Sequence, residues 1–427
     1  MIELGLSRIS RLVQQSTFSW KAIHVAGTNG KGSITSYVSG LLAAAGVSCG
    51  RFTSPHLIDR WDCITINEKV VEESLFRQVE EQVKKRDQSL GLGASEFELL
   101  TATAFEIFHQ QHVEVGVVEV GMGGRLDATN ILTNVLVSVI AKIGRDHETF
   151  LGNSIQAIAN EKAGILKSGV PCVIDGTNEP QVLQVLQARI QDLGIDATTA
   201  SSDVATQKFP NLASLFRDLD LEPHQKTNIA CATLALQKAA EHIQLKRSVD
   251  ELVPVLSEIQ WPGRLQFLSL EPLVSRTNPI LLDGAHNGQS SGVLGQFVDR
   301  KLRQNDQCVT WVISISHGKL WPEILEPLIR PGDSVAVVAF GPVEGMPWVK
   351  ATDTDSLASE IRTMPGVSSV ESFGSDIPGA ITWASGSANE GPLVIAGSLY
   401  LVSDIFRLLR GKQQTNSTVT IDRRNVE

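Results

Sequence analysis

Residues 21–46 read KAIHVAGTNGKGSITSYVSGLLAAAG, and this stretch narrows the possible folds more than any other. Ala22 to Ala26 is a short apolar run suited to a buried strand, and Gly27 to Gly32 places three glycines in six residues. Ser33 to Ala45 then has the length and composition of a helix stopped by Gly46. Strand, glycine turn and helix in that order form an anion cradle. N–H groups at the helix start point outward, the helix dipole adds partial positive charge there, and Lys31 supplies a full one. The spelling departs from the common phosphate loop G-x-x-x-x-G-K-[ST]: Val25 stands five before Gly30, and Gly32 separates Lys31 from Ser33. A glycine-rich turn that binds nothing is the plain alternative.

The pattern of strand followed by glycine turn and helix recurs. Strands are expected near 21–26, 113–120, 135–141 and 171–175, and again at 280–283, 309–315, 334–340 and 393–396. Repeated βα units imply an α/β protein with mainly parallel sheets and helices on both faces. WPGRLQ (Trp261 to Gln266) interrupts the series with Pro and Gly. The expected organisation is a nucleotide-binding domain over 1–265, a linker over 266–278, a second domain over 279–410 and a polar, aperiodic, disordered tail over 411–427.

A chain of 427 residues can hold two or three cores. Its apolar runs are broken by Glu or Gly within a few residues, so no membrane span is expected. Met1-Ile2-Glu3 opens acidic, without the basic start of a secretory signal. Five scattered cysteines without a C-x-x-C pair suit a reducing cytoplasm. A net charge of −10 argues against a nucleic-acid partner while leaving room for a small anionic substrate in a locally positive pocket.

Ligands of doubly wound sheets sit at the carboxyl ends of the strands. There the chain offers Glu119 in VVEVGMGGRLDATN, His147 in KIGRDHETFLG and Ser54 in RFTSPHL. A carboxylate, an imidazole and a hydroxyl near a phosphate loop could hold Mg²⁺ against ATP, although imidazole is unusual for so hard a cation. Singly, Glu119 also reads as a solvated loop acid and His147 as a turn histidine. In NSIQAIANEKAGILK, Asn153 or Ser154 can cap a helix whose Ile155, Ile158, Ala159 and Leu166 share a face. At about 100° per residue Lys162 falls roughly 20° from Ile155, inside that apolar stripe. A lysine there must be paired, deprotonated or modified, or it snorkels. Past the break, ILLDGAHNG presents Asp283, His286 and Asn287, and WPGR presents Arg264. Arg264 could neutralise a γ-phosphate and Asp283 take a ribose hydroxyl; alternatively Arg264 is a rim charge and Asp283 a helix cap.

In order, GTNGKGS, SPHL, EVGMGGRLDATN, DHETFLG, NEKAGILK, WPGR and DGAHN resemble the folate-side branch of the Mur ligase superfamily, the dihydrofolate synthases and folylpolyglutamate synthases. The resemblance runs from about residue 2 to about 405. It implies a Mur-ligase-like P-loop ATPase domain with a mainly parallel sheet and a smaller Rossmann-like α/β C-terminal domain. The implied reaction phosphorylates a substrate carboxylate with ATP, and the α-amino group of L-glutamate attacks the acyl phosphate to give an amide, ADP and phosphate.

Residue by residue, the resemblance implies ATP binding by Thr28, Asn29, Gly30, Lys31, Gly32 and Ser33, completed by Asn228, Arg264 and Asp283. It implies Mg²⁺ on Ser54, Glu119 and His147, with room for a monovalent cation as well. Lys31, Lys162, Arg264 and His286 take catalytic roles, and Lys162 is expected as a carbamate. IELGLSRIS, SEFE and LDA resemble the pterin-binding segments of dihydrofolate synthases, which assigns 7,8-dihydropteroate to Ile2, Glu3, Leu4, Ser95, Glu96, Phe97, Glu98, Leu126, Asp127 and Ala128. Asn29, RLDATN and EKAGI favour dihydrofolate synthase, with polyglutamylation as the alternative or an added activity. A monomeric cytoplasmic enzyme without nucleic-acid or membrane partners is expected. A P-loop small-molecule kinase would explain loop and metal set but show no glutamate dependence. A non-catalytic nucleotide-binding module would give Lys162 no purpose.

Overall fold

The computed structural model describes residues 5–13, 18–259, 261–304 and 307–422, with the backbone alone over 413–422. The chain forms two compact units that divide between Trp261 and Pro262.

The first unit is built on eight strands: β1 (Lys21–Ala26), β2 (Cys49–Phe52), β3 (Ile64–Ile66), β4 (Lys69–Val70), β5 (Val115–Glu119), β6 (Val135–Ile140), β7 (Cys172–Asp175) and β8 (Ala197–Ala200). Their order across the sheet is β4-β3-β2-β5-β1-β6-β7-β8. The six strands from β2 to β8 in that order run parallel, and β3 and β4 extend one edge antiparallel. β1 is central, with β5 and β6 on either side. Because side chains alternate along a strand, β1 feeds two cores. Ile23 and Val25 join the cluster under helices Lys31–Ala44 and Pro223–Ala239. Ala22 joins the opposite cluster, where Trp20, Phe105 and Phe108 meet edge to face.

The second unit holds β9 (Gln266–Leu268), β10 (Ile280–Leu282), β11 (Thr310–Ile313), β12 (Ser334–Val337), β13 (Ser369–Ser372) and β14 (Leu393–Ala396). Their order is β13-β12-β11-β14-β10-β9, parallel except for the β9–β10 pair. Among the described residues no helix is long and apolar enough to cross a membrane.

Every strand expected from the sequence is present, so the fold is α/β with two mainly parallel sheets. The expected boundaries differ. Residues 266–268, read as linker, form β9, which pairs Leu268 with Ile280 and edges the second sheet. The interruption therefore falls at Pro262-Gly263, and a three-residue strand is too short for its alternation to be seen. Residues 411–422 of the expected tail continue a helix, Leu399–Asp422, and 423–427 lie outside the described residues. Extending a helix already nucleated by an apolar segment costs little per residue, so a polar sequence can follow it. The helix expected over 153–167 is also shorter, Ile155–Ala163, with Ser154 as N-cap accepting from Ala157 N.

Candidate active site

The phosphate loop leaves the carboxyl end of β1, between its neighbours β5 and β6. Its anchor is the turn after β6: Thr28 N and Asn29 N donate to Lys142 O at 2.8 and 3.1 Å, and Thr28 Oγ1 lies 2.9 Å from Gly144 O. Gly30 caps helix Lys31–Ala44 with φ of 88°, a left-handed conformation that favours glycine. Asn228, buried on helix Pro223–Ala239, closes over it: a methyl on Gly30 would lie 2.5 Å from Asn228 Oδ1. The first-turn amides of this helix have no intrahelical acceptor, which is what a phosphate needs. Lys31 Nζ donates to Thr28 O at 3.1 Å and sits 3.6 Å from Glu119 Oε1.

Glu119 ends β5 opposite Val25 and is 4% exposed, so it is a buried acid and not a solvated one. His147 is exposed with φ of 53° and opens the short helix Glu148–Leu151; Ser54 follows β2. Among the described residues no three His, Cys, Asp or Glu side chains gather as a metal cluster. Glu119 supplies a hard oxygen donor beside the loop lysine, which suits a cation that takes most of its coordination from phosphate oxygens.

Lys162 is 4% exposed, and its Nζ donates to Gly27 O at 2.8 Å, which removes the snorkelling alternative. Burial, and secondly the Lys31 charge, pull its pKa from 10.5 to about 7. The apolar stripe has thus placed a largely desolvated amine against the first glycine of the phosphate loop.

The residues assigned to dihydropteroate are spread over two elements. Ser95 caps helix Glu96–Gln110 and forms a capping box with Glu98, whose carboxylate also accepts from Arg8 Nε at 3.0 Å. Glu96 is held by Arg60 Nη2 at 2.8 Å. Phe97 packs against the backbone of Gly121 and stacks on Phe52 at 6.2 Å. Asp127 is buried; it takes Met122 N at 2.8 Å and Thr129 Oγ1 at 2.5 Å, and so fixes the loop after Glu119. Leu126 is half-buried beside it and Ala128 fully so. Ile2, Glu3 and Leu4 lie outside the described residues.

Sequence reasoning missed the partners Arg8 and Arg60, and also His24, whose Nε2 lies 2.9 Å from Thr129 Oγ1. SEFE carried a readable signal, since S-x-x-E is the capping-box pattern. His24 carried none, because a histidine inside an apolar run reads as strand.

In the second unit, Asp283 accepts from Leu265 N at 2.7 Å and Ala285 N at 2.8 Å, tying the WPGR turn to the end of β10. It is not the cap of the next helix: Asn287 is, accepting from Ser290 N at 2.9 Å. His286 Nδ1 lies 3.1 Å from Gly284 O, and Arg264 Nη1 donates to Gly263 O at 3.3 Å.

Residues 266–408 match the family described as dihydrofolate synthetase, C-terminal domain. The chain is 37% identical to the dihydrofolate synthetase of Saccharomyces cerevisiae over 95% of its own length and 98% of the relative's. It belongs to the dihydrofolate synthase and folylpolyglutamate synthase family. A probable dihydrofolate synthetase of Schizosaccharomyces pombe is 36% identical over 96% of this chain and 99% of that one. Another member, the crystal structure of a bifunctional folylpolyglutamate synthase/dihydrofolate synthase from Yersinia pestis complexed with AMPPNP and Mn ion, superposes with a TM-score of 0.74 at 26% identity, covering 96% and 94% of the two chains. The family fold is therefore the Mur-ligase type implied by the ordered motifs.

Proposed function

We infer that the chain is a dihydrofolate synthase, which joins L-glutamate to 7,8-dihydropteroate through an acyl phosphate and yields 7,8-dihydrofolate, ADP and phosphate. The observation that carries this reading is the full-length likeness to two fungal dihydrofolate synthetases at 36% and 37% identity. ATP, with a divalent cation, is the energy source.

In this reading the amides of residues 30–33 and the Lys31 ammonium cradle the phosphates, with Thr28, Asn29 and Asn228 shaping the cradle. Charge of this sign, fixed in place beforehand, stabilises what develops on the transferring phosphoryl group. Mg²⁺, held by Glu119 with Ser54 and His147, would neutralise phosphate charge; a monovalent cation is a further proposal. The neutral fraction of Lys162 near pH 7 can add CO₂, forming N–C with release of one proton, and the resulting carbamate is an anion beside the loop. Arg264, Asp283 and His286 serve the nucleotide and the acyl phosphate. Dihydropteroate falls to Phe97, Leu126, Asp127 and Ala128, with Ser95, Glu96 and Glu98 shaping that wall and Ile2, Glu3 and Leu4 completing it. The partners are small molecules, and the enzyme works as a cytoplasmic monomer.

Phosphate release from ATP should need both dihydropteroate and glutamate, and dihydropteroate should be consumed much faster than tetrahydrofolate is extended. ADP formation without glutamate, accompanied by a stable phosphorylated product, would indicate a kinase, and preference for tetrahydrofolate a folylpolyglutamate synthase.

A further inference from the structure

Helix Lys31–Ala44 carries Gly32 and Gly40, with Ser36 midway between them. Residues four apart share one stripe of a helix. Neither glycine has a positive φ, and alanine is the better helix former, so the backbone requires neither. What lies against them does. A methyl on Gly32 would stand 2.9 Å from Cζ2 and 3.1 Å from Nε1 of Trp261, and one on Gly40 would meet Ile259 Cδ1. Ile259 and Trp261 therefore strap the helix along that stripe. Arg51 holds the strap down: its Nη1 donates to Ser36 Oγ and Ser39 Oγ, each at 3.1 Å, and to Glu68 Oε2 at 2.9 Å. Its guanidinium carbon lies 5.1 Å from the centre of the Trp261 ring, within cation–π range.

We infer that Trp261 is a positioning residue for the phosphate loop, and that Gly32 is glycine to admit the indole and not to let a phosphate approach. This rests on the reading that residues 28–33 hold nucleotide phosphates. The indole braces the first helical turn at the residue whose amide is among the unpaired donors. A braced turn presents those donors already ordered, which spares the ligand the cost of ordering them. The inserted glycine that separates Lys31 from Ser33 thus has a partner far along the chain.

The test uses the full-length protein, with ADP affinity from calorimetry and kcat and KM for ATP from steady-state assay. Gly32→Ala should weaken ADP binding by about 30-fold or more, and Trp261→Leu by about 5-fold to 10-fold with a larger effect on KM than on kcat. Trp261→Phe, which keeps a ring over Gly32, should stay within about 3-fold of wild type. The double variant should bind ADP as well as Trp261→Leu does, because the methyl then has room and the two changes no longer add. A double variant as weak as Gly32→Ala would overturn the inference in favour of phosphate approach. Trp261→Leu with unchanged ADP affinity and KM would overturn the positioning role. Should Gly32→Ala not fold, the Leu and Phe variants decide alone. A wild-type protein that binds no ADP defeats the nucleotide reading itself, and does so before any substitution is made.

Discussion

At Lys162 the ammonium is the costly form. Burial strips it of water and leaves one backbone oxygen, Gly27 O, to receive it, and the charge of Lys31 opposes it further, so its pKa falls to about 7 from the 10.5 of an unfolded lysine. Between those values the unfolded chain binds more protons than the folded one, so stability rises with pH across that window and falls as pH drops to 7. Urea unfolding of the ligand-free protein in CO₂-free buffer should show this rise, and Lys162→Met should flatten it. Equal slopes would place the effect elsewhere. Lys162→Arg keeps a cation that cannot add CO₂, and ligase activity should fall by about 100-fold or more; normal turnover would remove the carbamate. The lysine was legible because helix periodicity exposes a charge inside an apolar stripe. Its depth was not, since only the packing of Ile155, Ile158 and Ile165 in one buried cluster decides between burial and snorkelling.

Among elements, the long parallel strands were readable as apolar runs, while β8 (ATTA) and β13 (SVES) were not. An edge strand has one partner and needs little apolar character, so its composition resembles a loop. β2 was hidden by Gly50 and Arg51, though all four of its residues are buried and Phe108 fills the space beside Gly50. The second sheet has its own hidden fastener. Asp333, 0% exposed, takes Arg303 Nη1 and Nη2 at 2.6 and 2.7 Å, Val309 N at 2.8 Å, and Trp311 Nε1 and Arg330 N at 3.0 Å each. It ties the starts of β11 and β12 to the preceding helices. Asp333→Ala would strand a half-buried guanidinium, two backbone amides and an indole N–H, and unfolding should cost about 3–5 kcal/mol less in denaturant titrations. A loss under about 1 kcal/mol would mean that water reaches these groups.

For the whole molecule, the ordered motifs revealed both units and the family, because GTNGKGS, SPHL, EVGMGG and DGAHN each sit where a strand ends and a turn begins. The join was misplaced by a few residues, since Asp283 fastens the WPGR turn to β10 and that bond spans eighteen positions of sequence. Arg264 lies in this turn, and its expected task is to balance charge in the transition state. Arg264→Ala should lower kcat by about 100-fold or more with the melting temperature nearly unchanged; a fully active variant would leave Arg264 without that role. The strand order also dictates when the phosphate loop can exist. β1 pairs Lys21 with Val115 and Ile23 with Val137, so both neighbours of the loop's own strand are made long after it. At roughly 5–20 residues per second, β1 leaves the ribosome and stays unpaired for several seconds. During translation the phosphate loop's own strand waits for both neighbours, and that apolar strand is an exposed target for chaperones until β6 arrives.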